Sequence, residues 1–413
     1  METEVNLSGK VILEGSKAVE NRVLIIATYL TMPLILRNGS SCDDIRTMLD
    51  NLQLLGLRLE RDGKDLKLLP PDRLNANQKL SVQDSGTAWR FLLGRTALTK
   101  NLQTSISLSA QLAKRPWQGL AEILEKMGAE ISEGDSAVSV KGTSWRGGWM
   151  KIDASISSQY ISALLLNAVN LPQDLHLELQ EPVVSRPYLD MTLQVMQEFG
   201  VTGRIDDDSI ILEKNQFYRN RQYYEVEPDF STACCFWALG ALNRGEIYTS
   251  RWPGGKVLQP DYDFLKILAR MGAVIEINDT GIMVQKKYLY GLETEMSDLP
   301  DQVPTLAVLA LFARGRTAVH GIDHLRYKES DRITALVTEL RKLGAHIVYD
   351  QGTLVIDPLR EKPGKVKLLT YHDHRLVMAF SLIQRLLPEI QLEETASVAK
   401  SCPDFFRAWH SLK

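Results

Sequence analysis

Cysteine is scarce: Cys42, Cys234, Cys235 and Cys402 are the only four in 413 residues. They show no metal-ligand spacing, and two adjacent residues bridge only with strained geometry, so reduced thiols in a cytoplasm are expected. Long apolar runs are missing too. The longest, Val23–Leu36, has about 14 residues and contains two threonines, too short to cross about 30 Å of hydrocarbon. The N-terminal Met1-Glu2-Thr3-Glu4 is acidic and lacks the basic-then-apolar order of a secretory signal. Neither sign of charge dominates: Lys+Arg 48 against Asp+Glu 51 leaves a net charge of −3, without the basic excess that duplex binding usually needs. No nucleotide P-loop occurs, since Gly254-Gly255-Lys256 is followed by Val257. His372 and His374 lack a third ligand at useful spacing, so no metal is expected. What remains is ordinary globular composition, 44% apolar and 24% charged, with room for two or three domains.

Composition hides an internal repeat. An amphipathic run ending in apolar-Gly-apolar recurs at Gly56, Gly128, Gly200, Gly272 and Gly344, each 72 residues after the last. Each glycine suits the position just past a helix, where a left-handed conformation stops it, and the segment after it alternates like a strand. Ser85, Ser157, Asp229, Asp301 and Asp373 keep the same 72-residue offset and each opens a nearly continuous apolar run, as does Ser16. Ser and Asp are good N-caps, and the apolar runs predict buried helices. One unit therefore reads as βαβαββ, and six units are expected. Residues 4–13 are strand-like with no helix of their own, and they are expected to complete the sixth, C-terminal unit. Three units per globule then predict a discontinuous domain, 1–15 plus 229–413, and an inserted domain, 16–228. An open solenoid is the alternative, but the terminal caps that solenoids need are not evident.

Free N–H groups and a partial positive charge make a helix start an anion site when cations flank it. Ser16-Lys17 is followed by Arg22, Gly86-Thr87 by Arg90, and Asp373-His374 by Arg375; further cations sit in Lys114-Arg115-Pro116, Lys328-Glu329-Ser330-Asp331-Arg332 and Ala399-Lys400-Ser401. Arg offers bidentate geometry to carboxylate or phosphate and Lys a compact charge. The set points to a small, multiply anionic substrate. For Asp301, an N-cap role and a catalytic role both remain open at this point.

Together with Ser157-Ser158-Gln159, Val184-Ser185-Arg186-Pro187-Tyr188 and Pro300-Asp301, these motifs run in an order that resembles the 5-enolpyruvylshikimate-3-phosphate synthases along essentially the whole chain. The resemblance implies an α/β (α+β) fold, a two-globule inside-out α/β barrel with three βαβαββ units per domain. It also implies transfer of the enolpyruvyl group of phosphoenolpyruvate to the 5-hydroxyl of shikimate 3-phosphate, with no metal or organic cofactor. By motif, Lys17, Arg22, Ser157, Ser158, Gln159, Ser185, Tyr188, Asp301 and Lys328 would hold shikimate 3-phosphate. Lys17, Gly86, Arg115, Gln159, Arg332, Arg375 and Lys400 would hold phosphoenolpyruvate. Asp301, Glu329 and Lys17 would carry acid-base chemistry, and the enzyme would be a cytoplasmic monomer.

Three positions depart from the family pattern: Ala18 stands where Ser is usual, and Asp84 and His324 where Asn is usual. Asp84 would face the anion, so it is expected to pair with Arg115 or Arg90 or to cap its own helix. Two alternatives carry the same fold. One resembles the UDP-N-acetylglucosamine enolpyruvyl transferases, whose first motif carries Lys-Asn where Lys17-Ala18 stands here, and whose Cys or Asp before Arg-Pro is missing from Ser109–Pro116. The other is a non-catalytic anion-binding relative.

Overall fold

The computed structural model describes residues 6–134, 137–206, 208–252, 255–279 and 281–413. The acidic Met1–Glu4 stretch, the first two residues of the strand-like segment 4–13, and Gly254 lie outside them. The chain forms two compact units, Met1–Glu14 with Pro228–Lys413, and Gly15–Glu227.

The repeat is visible as one structural unit used over and over. In the clearest copy, strand Gln78–Ser81, buried helix Gly86–Ala97 and strand Gln103–Ser107 make a parallel βαβ element. A second helix, Gln118–Lys126, then leads to the hairpin Glu130–Glu133 and Ala137–Lys141, which adds antiparallel to Gln103–Ser107. The five repeat glycines end the second helix of their units with φ between 80° and 110°, a conformation that costs a residue with a Cβ. Five sheets of four strands follow this plan, and a sixth has two strands, Val366–Leu369 and Ile390–Glu393. The α/β class and the repeated unit hold. The strands lie in separate open sheets among the described residues, and no closed barrel forms.

The N-terminal strand does not go where the sequence suggested. Gly9–Val11 pairs in parallel with Ile247–Thr249, in the sheet of the fourth unit, not the sixth. Reciprocally, Tyr223–Glu225, which precedes the fourth buried helix, pairs with Leu34–Arg37 after the first. The two strands that lead into the first and fourth buried helices have exchanged sheets. A three-residue strand carries too little pattern to name its partner, whereas the helix caps and glycines set a register that counting can follow. The N-terminal segment also meets the C-terminus, through the Ser8–Lys413 backbone pair at 2.6 and 3.2 Å.

The buried helices explain themselves by composition. Every residue of Phe230–Leu242 and of Val303–Phe312 is buried, as expected for helices apolar on all sides. Four of the register residues cap them as read: the side chains of Ser85, Ser157, Asp229 and Asp373 accept from Ala88, Gln159, Thr232 and Arg375 N–H respectively. Ser16 makes no side-chain cap bond. Asp301 is no cap either. It lies in a 3-10 turn, Pro300–Gln302, ahead of helix Val303–Phe312, whose N-cap residue is Gln302. No helix among the described residues is long and apolar enough to cross a membrane.

Candidate active site

Candidate residues occur in both units, and each unit is described on its own. In Gly15–Glu227, Lys17 opens its helix and its Nζ meets Asp44 Oδ2 at 2.6 Å. Asp44 is buried in the first turn of helix Asp43–Leu54, and no pattern in the sequence sets it apart from other acids on amphipathic helices. Arg22 is fully buried among neutral partners. Its Nε donates to Thr192 Oγ1 at 2.8 Å, Nη1 to the Ala18 carbonyl at 2.6 Å, and Nη2 to the Tyr188 carbonyl at 3.3 Å. Burial pulls its pKa down to about 10, although Tyr188 pushes the other way. Ala18 thus contributes only a backbone oxygen where the family usually brings a hydroxyl.

Gly86 has a steric reason to be glycine. A Cβ there would lie 2.6 Å from Arg115 Nη1 and 2.7 Å from Arg90 Nη1. The arginine loop is pinned from one side at Pro116, whose carbonyl accepts from Arg90 Nη2 at 3.1 Å and from the Tyr160 hydroxyl at 2.5 Å. Gln159 donates its Nε2 to Thr87 Oγ1 at 3.1 Å, while its Oε1 is buried without a hydrogen-bond partner. A buried acceptor left open is costly unless something fills it. Ser158 is buried beside it, and Ser157 is committed to its helix cap. Ser185, also buried, holds φ 55° and its carbonyl accepts from Tyr188 N–H at 3.1 Å. Left-handed backbone at a non-glycine residue is strained and often marks a functional position.

Asp84 is not the cap of helix Gly86–Ala97, since Ser85 fills that place. Its carboxylate instead accepts from the Ser109 hydroxyl. Of the two outcomes expected for Asp84, capping is therefore corrected: an adjacent serine with a shorter side chain already occupies the first-turn N–H.

In the other unit, acids and cations interlock. Arg332, with 0% of its surface exposed, donates Nη1 to Asp301 Oδ1 at 2.8 Å, Nη2 to Glu329 Oε2 at 2.9 Å, and Nε to Asp373 Oδ2 at 2.8 Å. Arg375 reaches the other oxygen of Asp301 with Nε at 3.2 Å and Nη2 at 3.0 Å. Lys400 Nζ lies 3.1 Å from Glu329 Oε1. Three cations therefore share three carboxylates. Burial would raise the Asp301 carboxyl, but Arg375, Arg332 and Lys328 outweigh it and hold the group well below the usual carboxylate range. Burial likewise opposes the charge on Arg332, and Asp373, Asp301 and Glu329 more than restore it.

His324 sits close by in the same unit, buried, with Nε2 unpartnered. Burial first, then Lys328 and Arg332, push its pKa down to about 3 against the pull of Asp301. It is a neutral imidazole at ordinary pH. Lys328 follows on from the 3-10 turn Asp323–Tyr327. Glu329, Asp373 and His374 do bring three donor groups within 4.8 Å of one another, a grouping invisible at sequence spacing because Glu329 comes from a different unit of the repeat. Both carboxylates already accept from Arg332, whose charge would oppose a metal cation.

Sequence reasoning did not anticipate Asp373 as a partner of Arg332. Its place in the cap register was correctly read, and one carboxylate serves both tasks: Oδ1 accepts the Arg375 N–H at 2.9 Å while Oδ2 takes Arg332 Nε.

Fold and site together define an enzyme for small, multiply anionic substrates, built from repeated βαβαββ units. The sequence profile of EPSP synthase (3-phosphoshikimate 1-carboxyvinyltransferase) matches residues 1–409. A 3-phosphoshikimate 1-carboxyvinyltransferase from Mannheimia haemolytica is 33% identical over 98% of this chain and 97% of its own length, and one from Psychromonas ingrahamii is 34% identical over 97% and 96%. The fold matches that of an EPSP synthase from Acinetobacter baumannii with a TM-score of 0.80, covering 100% of this chain and 97% of that one at 21% identity. The chain belongs to the EPSP synthase family. It transfers the enolpyruvyl group of phosphoenolpyruvate to shikimate 3-phosphate and releases phosphate, a step of aromatic amino acid biosynthesis.

Proposed function

We propose that two sets of residues carry this reaction. Lys17, Arg22, Ser157, Ser158, Gln159, Ser185, Tyr188, Asp301 and Lys328 hold shikimate 3-phosphate; Lys17, Gly86, Arg115, Gln159, Arg332, Arg375 and Lys400 hold phosphoenolpyruvate. The observation that carries this reading is the Arg332–Arg375–Lys400 group, whose donors are spent on Asp301, Glu329 and Asp373. The resident carboxylates occupy cation geometry that suits the carboxylate and phosphate of the substrate.

The chemistry follows in two steps. The 5-hydroxyl oxygen bonds to C2 of phosphoenolpyruvate, its proton goes to a base and C3 gains a proton, giving a tetrahedral adduct. C3 then returns a proton, the C2–O bond to phosphate breaks, and the enol ether and phosphate leave. Asp301 is ionised and accepts from the hydroxyl. Glu329 and Lys17 are the proton carriers at C3. Arg115 and Lys400 offset charge on the departing phosphate. Asp44 orients Lys17 through its 2.6 Å ion pair.

The two units act as domains of a monomer. Four free cysteines fit a reducing cytoplasm. Phosphate release tests the reading: wild type turns over shikimate 3-phosphate with phosphoenolpyruvate, and Arg332→Ala and Lys400→Ala lose at least about a hundredfold. Turnover of a UDP sugar instead, or none at all, would overturn it.

A further inference from the structure

The turn ahead of helix Gly86–Ala97 is tied at two points to the short helix Ala110–Ala113. Gln83 lies in the left-handed region, φ 47°, and its carbonyl accepts from Ser109 N–H at 3.1 Å. The Ser109 hydroxyl donates to Asp84 Oδ1 and accepts from Leu112 N–H at 3.0 Å. One serine thus caps the short helix and grips the turn. The Leu112 carbonyl accepts from Arg115 N–H at 3.0 Å, and the Arg115 guanidinium returns to the surface of Gly86, two residues after Asp84.

Pro116, the next residue, is fixed from the opposite side by Arg90 and Tyr160. Arg115 is therefore held between two anchors. Asp84 supplies one of them, and it does so with an exposed carboxylate close to a phosphate-binding loop.

We propose that Asp84 is a positioning residue: through Ser109 it sets the Arg115 loop, and so the affinity for phosphoenolpyruvate, without touching substrate. This rests on the reading that Arg115 holds phosphoenolpyruvate. The tether requires an acceptor at position 84 and a hydroxyl at 109.

Steady-state kinetics with each substrate varied in turn separates the cases, using Asp84→Ala, Asp84→Asn, Ser109→Ala, the double alanine variant and Arg115→Gln. Asp84→Ala and Ser109→Ala should each raise the KM for phosphoenolpyruvate about tenfold, the scale of one charge-assisted hydrogen bond. The KM for shikimate 3-phosphate and the melting temperature should stay near wild type. The double variant should be no worse than either single one, since both break the same tether. Asp84→Asn, whose amide oxygen still accepts the hydroxyl, should restore most of the affinity. A phosphoenolpyruvate KM unchanged in Asp84→Ala but raised in Arg115→Gln overturns the proposal and spares the reading of Arg115. An Asp84→Asn variant as impaired as Asp84→Ala, or one that binds phosphoenolpyruvate more tightly than wild type, also overturns it, because charge rather than the tether would then be at work. An unchanged KM in Arg115→Gln removes the reading of Arg115 and the proposal together.

Discussion

Asp301→Asn keeps the shape of the side chain and removes its charge, so its consequences can be worked from the contacts. Arg332 retains Glu329 and Asp373. Arg375 fares worse: Nε and Nη2 both address Asp301, and Nη1 meets the Met378 sulfur at 3.9 Å. Removing one partner of a buried ion pair costs about 3–5 kcal/mol. Asp301 is partly solvated, with 25% of its side chain exposed, and an amide oxygen still accepts one hydrogen bond, so about 2 kcal/mol is expected. Turnover should fall at least about a hundredfold, the scale of a positioned acid-base group. The guanidinium charge left uncompensated in the variant also gives a second signature. Inorganic phosphate should raise the melting temperature of Asp301→Asn more than that of wild type, because a bound anion replaces the missing carboxylate. The acid limb changes too: a carboxyl held below its ordinary 3.8 stabilises the fold above that pH and loses the contribution as pH falls through the depressed value. Near-normal turnover, or equal stabilisation of both proteins by phosphate, would refute the reasoning.

His324→Asn should flatten the pH dependence of stability. A histidine with an ordinary value of 6.5, pushed to about 3 in the fold, binds its proton first in the unfolded chain, so wild type loses stability as pH falls below 6.5, by about 2 kcal/mol at pH 5; denaturant titrations at pH 7.5 and 5 should show this in wild type and not in the variant. Gly86→Ala should raise the KM for phosphoenolpyruvate about tenfold or more with the melting temperature nearly unchanged, because its methyl group meets the movable ends of Arg115 and Arg90 rather than backbone; steady-state kinetics and a melting curve on the same preparation check both halves.

The parts of the molecule legible in the sequence were those that repeat. Left-handed glycines at a fixed interval, and Ser or Asp ahead of apolar runs, follow from local backbone chemistry, so counting finds them. Partner choice is another matter. Gly9–Val11 and Tyr223–Glu225 are three residues each, and nothing in so short a strand says which of several parallel edges it joins. Site residues divide the same way. Lys17, Arg115 and Lys400 stand out as cations in turns and at helix starts, while Asp44 and the second role of Asp373 depend on which helices pack together. Asp301 is the most instructive case. It holds the cap register of its neighbours, and the proline before it and the 3-10 turn around it release its carboxylate for Arg332 and Arg375.

That three acids sit among the cations of an anion-binding enzyme has a physical reason and a measurable consequence. Two unit charges about 4 Å apart repel by roughly 4 kcal/mol at an effective dielectric of 20, so Arg332, Arg375 and Lys400 could not be assembled without counter-charges. A substrate anion that takes Arg332 and Lys400 must draw them from Glu329, whose two oxygens they now occupy at 2.9 and 3.1 Å. A carboxylate that loses two cationic partners holds a proton more readily. On the proposed assignment of Glu329, anion binding and the charging of a proton carrier are one event, which is what protonation of C3 needs. Calorimetry of phosphoenolpyruvate binding, in the presence of shikimate and in buffers of different ionisation enthalpy, counts the protons exchanged. Wild type should take up more protons than Glu329→Gln, and the difference should grow from pH 7.5 to pH 6. Equal proton counts in the two proteins at both values would mean that Glu329 stays a carboxylate throughout, leaving Lys17 as the donor to C3.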